Sequence, residues 1–144
     1  MNYFTPLLPF IAGWALLLAT DGFATIGLYN GLLQLVLFGL VVCIPIWKTH
    51  RMSYVDIGWP LGLTVIGALT WLLSEGDPLR TALVGIAYLT VGSRMGFGAL
   101  KLWSTGRLKQ EFPRYEYQKR RWIASGKTNT QLAMQVDALW QGLA

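Results

Sequence analysis

Four apolar stretches dominate this chain, Phe4 to Thr20, Leu28 to Trp47, Ile57 to Leu73 and Leu79 to Leu100. Crossing ~30 Å of hydrocarbon takes about 17 to 25 residues of helix. In lipid every backbone polar group must be satisfied within the segment, which leaves helices as the natural reading of such runs. Composition agrees, because 53% of the 144 residues are hydrophobic and only 13% are charged, whereas a soluble domain carries about 25% charged residues. The expected fold class is an all-α integral membrane protein with four transmembrane helices, followed by an amphipathic basic segment over 101–129 and a short helix over 130–144. The final apolar stretch, Leu132 to Ala144, falls short of the hydrocarbon thickness at ~1.5 Å per residue. It is expected to be a short helix or the start of a truncated further span.

Charge placement predicts orientation. The link after the second stretch carries Lys48, His50 and Arg51, the link after the third carries Glu75, Asp77 and Arg80, and eight of the twelve Lys and Arg residues lie between Lys101 and Lys127. Basic loops stay in the cytoplasm. The N-terminus and the basic segment are therefore expected in the cytoplasm, with turns at Asp21 and at Glu75 to Asp77 on the far side, as in a bacterial inner membrane protein. The net charge of +5 is concentrated beside a span, so the partner it implies is the lipid bilayer and its anionic lipids, not nucleic acid. Trp47, Trp59, Trp71 and Trp103 fall near the expected span ends, where aromatic anchors sit.

Few residues carry chemistry. One cysteine, Cys43, and one histidine, His50, leave no thiolate cluster and no metal site to expect. Arg94 lies inside the fourth apolar stretch, where a charge costs ~2.5 to 3.5 kcal/mol at the helix centre on insertion scales. It shares a helix face with Thr90 and Lys101, a polar stripe suited to an anionic group. Asp56 opens the third stretch at the same expected membrane face, and two readings stand for the pair: an ion pair between Asp56 and Arg94, or a helix-capping Asp56 with Arg94 reaching to headgroups. Gly58 with Gly62, and Gly92 with Gly96, are small-xxx-small pairs that predict contact between the third and fourth spans.

Three short runs, in order, resemble a known family. Ser53-Tyr54-Val55-Asp56-Ile57-Gly58-Trp59-Pro60 is similar to the Val-Asp-x-x-Trp signature of the DUF1295 membrane proteins, relatives of the steroid 5-alpha-reductase C-terminal domain. Gly92-Ser93-Arg94-Met95 is similar to that family's Gly-Leu-Arg-Leu run, and Glu111-Phe112-Pro113-Arg114-Tyr115, with Arg121-Trp122 following, to its Glu-Asp-x-Arg-Tyr motif. Val91 replaces a tryptophan usual before the glycine, and Phe112 replaces an acidic residue. The resemblance implies NADPH-dependent reduction of a carbon-carbon double bond in a lipid or steroid-like substrate. It makes Arg94 and Arg114 candidates for the cofactor phosphates, Tyr115 a candidate proton donor, and Asp56, Trp59, Thr90 and Lys101 the polar surroundings. The family's Ser-Arg-His-Pro-Asn-Tyr-like cofactor motif has no counterpart in this chain, so it is expected to be an N-terminal half that does not bind NADPH tightly alone and needs a second half or partner membrane subunit. The reading from a different class is a small non-enzymatic membrane protein that binds anionic lipid or a partner through its basic segment.

Overall fold

The computed structural model describes residues 3–144, and within them every regular element is helical. A shorter apolar helix spans Thr5–Leu18, its regular part α1 being Leu8–Leu18. Then come α2 (Ala24–Phe38), α3 (Ile44–Thr49), α4 (Val55–Leu73), α5 (Pro78–Ser104), α6 (Pro113–Ala124) and α7 (Thr130–Leu143). Three helical runs are long and apolar enough to cross a membrane: Ala24–Thr49, Met52–Leu73 and Pro78–Ser104. The first apolar stretch of the sequence falls below that length.

Local chemistry sets the joints. Between α2 and α3 the helix widens into a π turn over Gly39–Cys43, just ahead of Pro45. Proline has no N–H and its ring crowds the carbonyl four residues back, so a wider turn lets the run continue past it. Asp77 caps α5 by accepting the Arg80 N–H at 2.8 Å, and Pro78 follows in the first turn, where its missing donor costs nothing. Asn129 caps α7 likewise through the Leu132 N–H at 2.9 Å.

α4 and α5 form the most extensive helix pair, but not through the two glycine pairs matched against each other. A Cβ on Gly92 would lie 2.5 Å from Thr64 Oγ1 and 3.0 Å from the Pro60 carbonyl, and one on Gly67 would lie 3.0 Å from the Leu89 backbone nitrogen. Gly58 and Gly62 face α2 and the π turn after it instead, against Val42, Phe38 and Gln34. One helix cannot turn a single small-residue stripe toward two neighbours. α4 therefore uses opposite sides, and Gln34 binds the Gly62 carbonyl at 3.0 Å across the buried α2 side.

The core lies around α7. Phe38, Val42, Ile46, Met52, Val55, Tyr115, Met134 and Ala138 make one buried cluster. Far from being a peripheral tail, α7 buries Ala133, Met134, Val136, Asp137 and Ala138 among α2, α3, α4 and α6. Its last turn reaches α1, where the Trp14 indole donates to the Leu143 carbonyl at 3.0 Å and Phe10 stacks on Trp140 at 5.4 Å.

Candidate functional site

The site begins at the turn joining α3 to α4. His50 ends α3 in the left-handed region (φ 56°), and the chain then tightens into a single turn over Met52–Tyr54. The first N–H groups of a helix have no partner inside it. Here Glu111 supplies one from far along the chain: its carboxylate accepts the Met52 N–H at 2.8 Å, the Ser53 N–H at 3.1 Å and the Ser53 hydroxyl at 2.8 Å. Lys119 completes the arrangement, donating at 2.6 Å both to Glu111 and to the His50 carbonyl. Burial alone would raise the Glu111 carboxyl, but the bonds from Lys119, Met52 and Ser53 outweigh it and hold it below the usual carboxylate range. Arg51 adds bonds to the Lys109 carbonyl and to the Tyr54 hydroxyl.

These bonds place the start of α6 beside the start of α4, which brings Asp56, Arg114 and Tyr115 together. Arg114 donates to Asp56 Oδ1, the Tyr115 hydroxyl lies 3.4 Å from the same oxygen, and Arg114 sits 4.8 Å over the Tyr115 ring. Asp56 thus pairs with Arg114, not with Arg94. Arg114 stays 61% exposed, so the pair is closer to a surface bridge, worth ~0.2–1 kcal/mol, than to a buried one. Tyr115 is buried at 5% exposure. Burial first, and then the Asp56 charge, push its hydroxyl well above the ordinary tyrosine range, so it remains a hydrogen-bond donor and a weak acid.

Asp56 and Arg114 form the polar end of an open cavity of about 670 Å³, whose other walls are Met95, Gly98, Ala99, Leu102, Phe112 and Pro113. The cavity lies between α4, α5 and the start of α6. An apolar trough with one charged end accepts an amphipathic molecule, and its size falls among small-molecule sites. Tyr115 does not line it; its phenol holds Asp56 from behind.

The remaining candidates sit elsewhere. Thr90 and Arg94 line a separate recess with Leu89, Ser93 and Phe97, and Lys101 is exposed one end further along α5. Trp59, expected as an interfacial anchor, instead turns inward and donates to Gln141 on α7 at 3.0 Å. Gln141 in turn donates to Asp137, which also accepts from Gln118 and Trp140 at 2.8 and 2.9 Å. Burial raises the Asp137 carboxyl despite these three donors. Sequence reasoning passed over Asp137 and Gln141, whose only signal was polarity within the apolar pattern of the last helix, and Gln118, which carried no signal within the polar α6.

The two residues expected at the cofactor phosphates do not come together: Arg114 is engaged by Asp56, and Arg94 lines a different recess. Among the described residues there is also no grouping of three metal-ligating side chains. In comparison with known proteins, no family model, no curated protein and no solved structure matches this chain.

Proposed function

We propose that this chain is the lipid-binding half of a reductase-like membrane protein acting on a lipid or steroid-like substrate. The observation that carries the reading is the convergence of Asp56 and Arg114 at the polar end of a cavity otherwise lined by α5 and Phe112. A substrate with one polar group and a long apolar body would enter from the bilayer, place its head at the ion pair and lie along Met95 to Leu102. Asp56 and Arg114 bind and orient it, and Tyr115 positions Asp56. The cofactor and the step that reduces the substrate belong to a second half or partner subunit. In this reading the protein sits in a bacterial inner membrane with four spans, a cytoplasmic N-terminus and α6 along the cytoplasmic surface.

The test is photo-crosslinking of a diazirine-bearing steroid enone to the protein in nanodiscs. Labelled peptides should contain Met95 to Leu102 and Phe112 to Arg114. A Cβ on Gly98 meets nothing within 4 Å, so Gly98→Leu fills the cavity without disturbing the fold and should abolish labelling there. Labelling spread over the outer helix faces and unchanged by Gly98→Leu overturns the proposal.

A second reading rests on a separate observation. Of the eight Lys and Arg residues from Lys101 to Lys127, only Arg114 and Lys119 have carboxylate partners among the described residues. The others suit an anionic lipid surface, at ~1 kcal/mol each.

A further inference from the structure

Arg94 lies near the middle of a membrane-length helix and points away from the protein. Residue 92 packs against α4 so closely that only glycine fits. Arg94 follows two residues later, about 200° round a helix of 3.6 residues per turn. It therefore stands on the opposite side, in an exposed row with Leu83, Thr90, Phe97 and Lys101. Among the described residues its guanidinium has no hydrogen-bond or ion-pair partner.

Its depth makes that position costly. α5 is 27 residues long, about 40 Å at ~1.5 Å per residue. Asp77 and Arg80 bound the apolar stretch at one end and Lys101 at the other, which places Arg94 about 5 Å from the midpoint and ~10 Å inside the nearer hydrocarbon boundary. Side chains on a helix lean toward its N-terminus. For Arg94 that is away from the nearer surface, so reaching the headgroups means working against its own Cα–Cβ direction. Charged residues at such depth normally face protein or a water-filled cavity and pair there.

We propose that the outer face of α5 is an interface for another membrane-spanning helix, one not contained in residues 3–144, that carries an aspartate or glutamate opposite Arg94. The recess formed by Leu89, Thr90, Ser93, Arg94 and Phe97 receives that carboxylate, with Thr90 and Ser93 as further donors. A second copy of the chain does not serve. Asp56 and Glu111 are engaged by Arg114 and Lys119, Asp137 is enclosed around α7, and Asp21, Glu75, Asp77 and Glu116 lie outside the spans. Two copies face to face would oppose arginine to arginine. The inference does not depend on the reductase reading.

The experiment measures energy transfer in nanodiscs between the N-terminally labelled protein and a synthetic Leu/Ala membrane helix of about 20 residues with one central glutamate, against a twin with glutamine. The glutamate peptide should associate about three- to twenty-fold more tightly, the range of interhelical polar contacts in membranes. That preference should vanish in Arg94→Gln and persist in Arg94→Lys, with tryptophan fluorescence confirming that both variants are folded. Equal association of the two peptides, or a preference that survives Arg94→Gln, overturns the proposal. So does a preference abolished when zwitterionic phosphatidylcholine is replaced by anionic phosphatidylglycerol, because a net anionic lipid headgroup is then the partner of Arg94.

Discussion

Glu111 caps α4 from 59 residues away, through two backbone N–H groups and a serine hydroxyl. A carboxylate that replaces water at otherwise unpartnered helix donors contributes through charge-assisted bonds, typically ~1.5–3 kcal/mol. Glu111→Gln keeps the shape and loses the charge, so the variant should unfold at lower temperature in detergent at neutral pH by that amount of stability. Because the folded-state pKa of Glu111 is lowered, its contribution is fully present above the ordinary carboxylate range and is lost as pH falls through the lowered value. The wild-type protein should therefore lose stability in that acid window and the variant should lose less. Parallel pH profiles would show that Glu111 does not bear this load. Ser53, Asp56, Glu111, Arg114 and Tyr115 lie in the sequence motifs, but their pairing was not legible there. One of the two readings for Asp56 paired it with Arg94, although Gly92 and Arg94 sit two residues apart and cannot both face α4; helix periodicity alone contained that correction.

At the scale of elements, α7 is the piece whose role composition hid. Its sequence is short, and Gln131, Gln135, Asp137 and Gln141 interrupt a stretch expected to be a short helix or the start of a truncated span. The fold spends those groups on the neighbours: Gln135 donates to the Cys43 carbonyl at 3.0 Å, in the π turn where the helix ladder is disturbed, and Asp137 and Gln141 join α4 to α6. Gly142 then lets the last turn rest on Phe38, where a Cβ would come within 2.6 Å of ring carbon Cγ. Gly142→Ala should cost ~1–3 kcal/mol by overpacking. Adding Phe38→Leu should recover part of it, so the double variant is less destabilised than the sum of the singles. Strict additivity in thermal melts would separate the two positions. The hydrogen bonds between elements depend on which faces meet, so their residues could be found only once α7 was seen enclosed.

For the whole molecule, the apolar runs and the basic loops lead to one orientation, with the α4–α5 turn opposite α6. In a Cys43→Ser background, Gly76→Cys should react with a membrane-impermeant maleimide from the extracytoplasmic side only. Labelling from the cytoplasmic side alone would invert the molecule and put α6 outside. Membrane-length helices and the concentration of charge after α5 are legible in the sequence, because backbone satisfaction in lipid and charge solvation act over a few residues or along one helix. The tertiary structure alone decided the rest: that Arg114 rather than Arg94 meets Asp56, that Glu111 reaches the start of α4, that Trp59 turns inward to Gln141, and that α7 occupies the core. Those contacts join residues 58 to 82 positions apart. Helix rotation and the placement of the start of α6 beside Asp56 set them, and close packing at glycines and buried hydrogen bonds selects that rotation from many that the same apolar pattern permits.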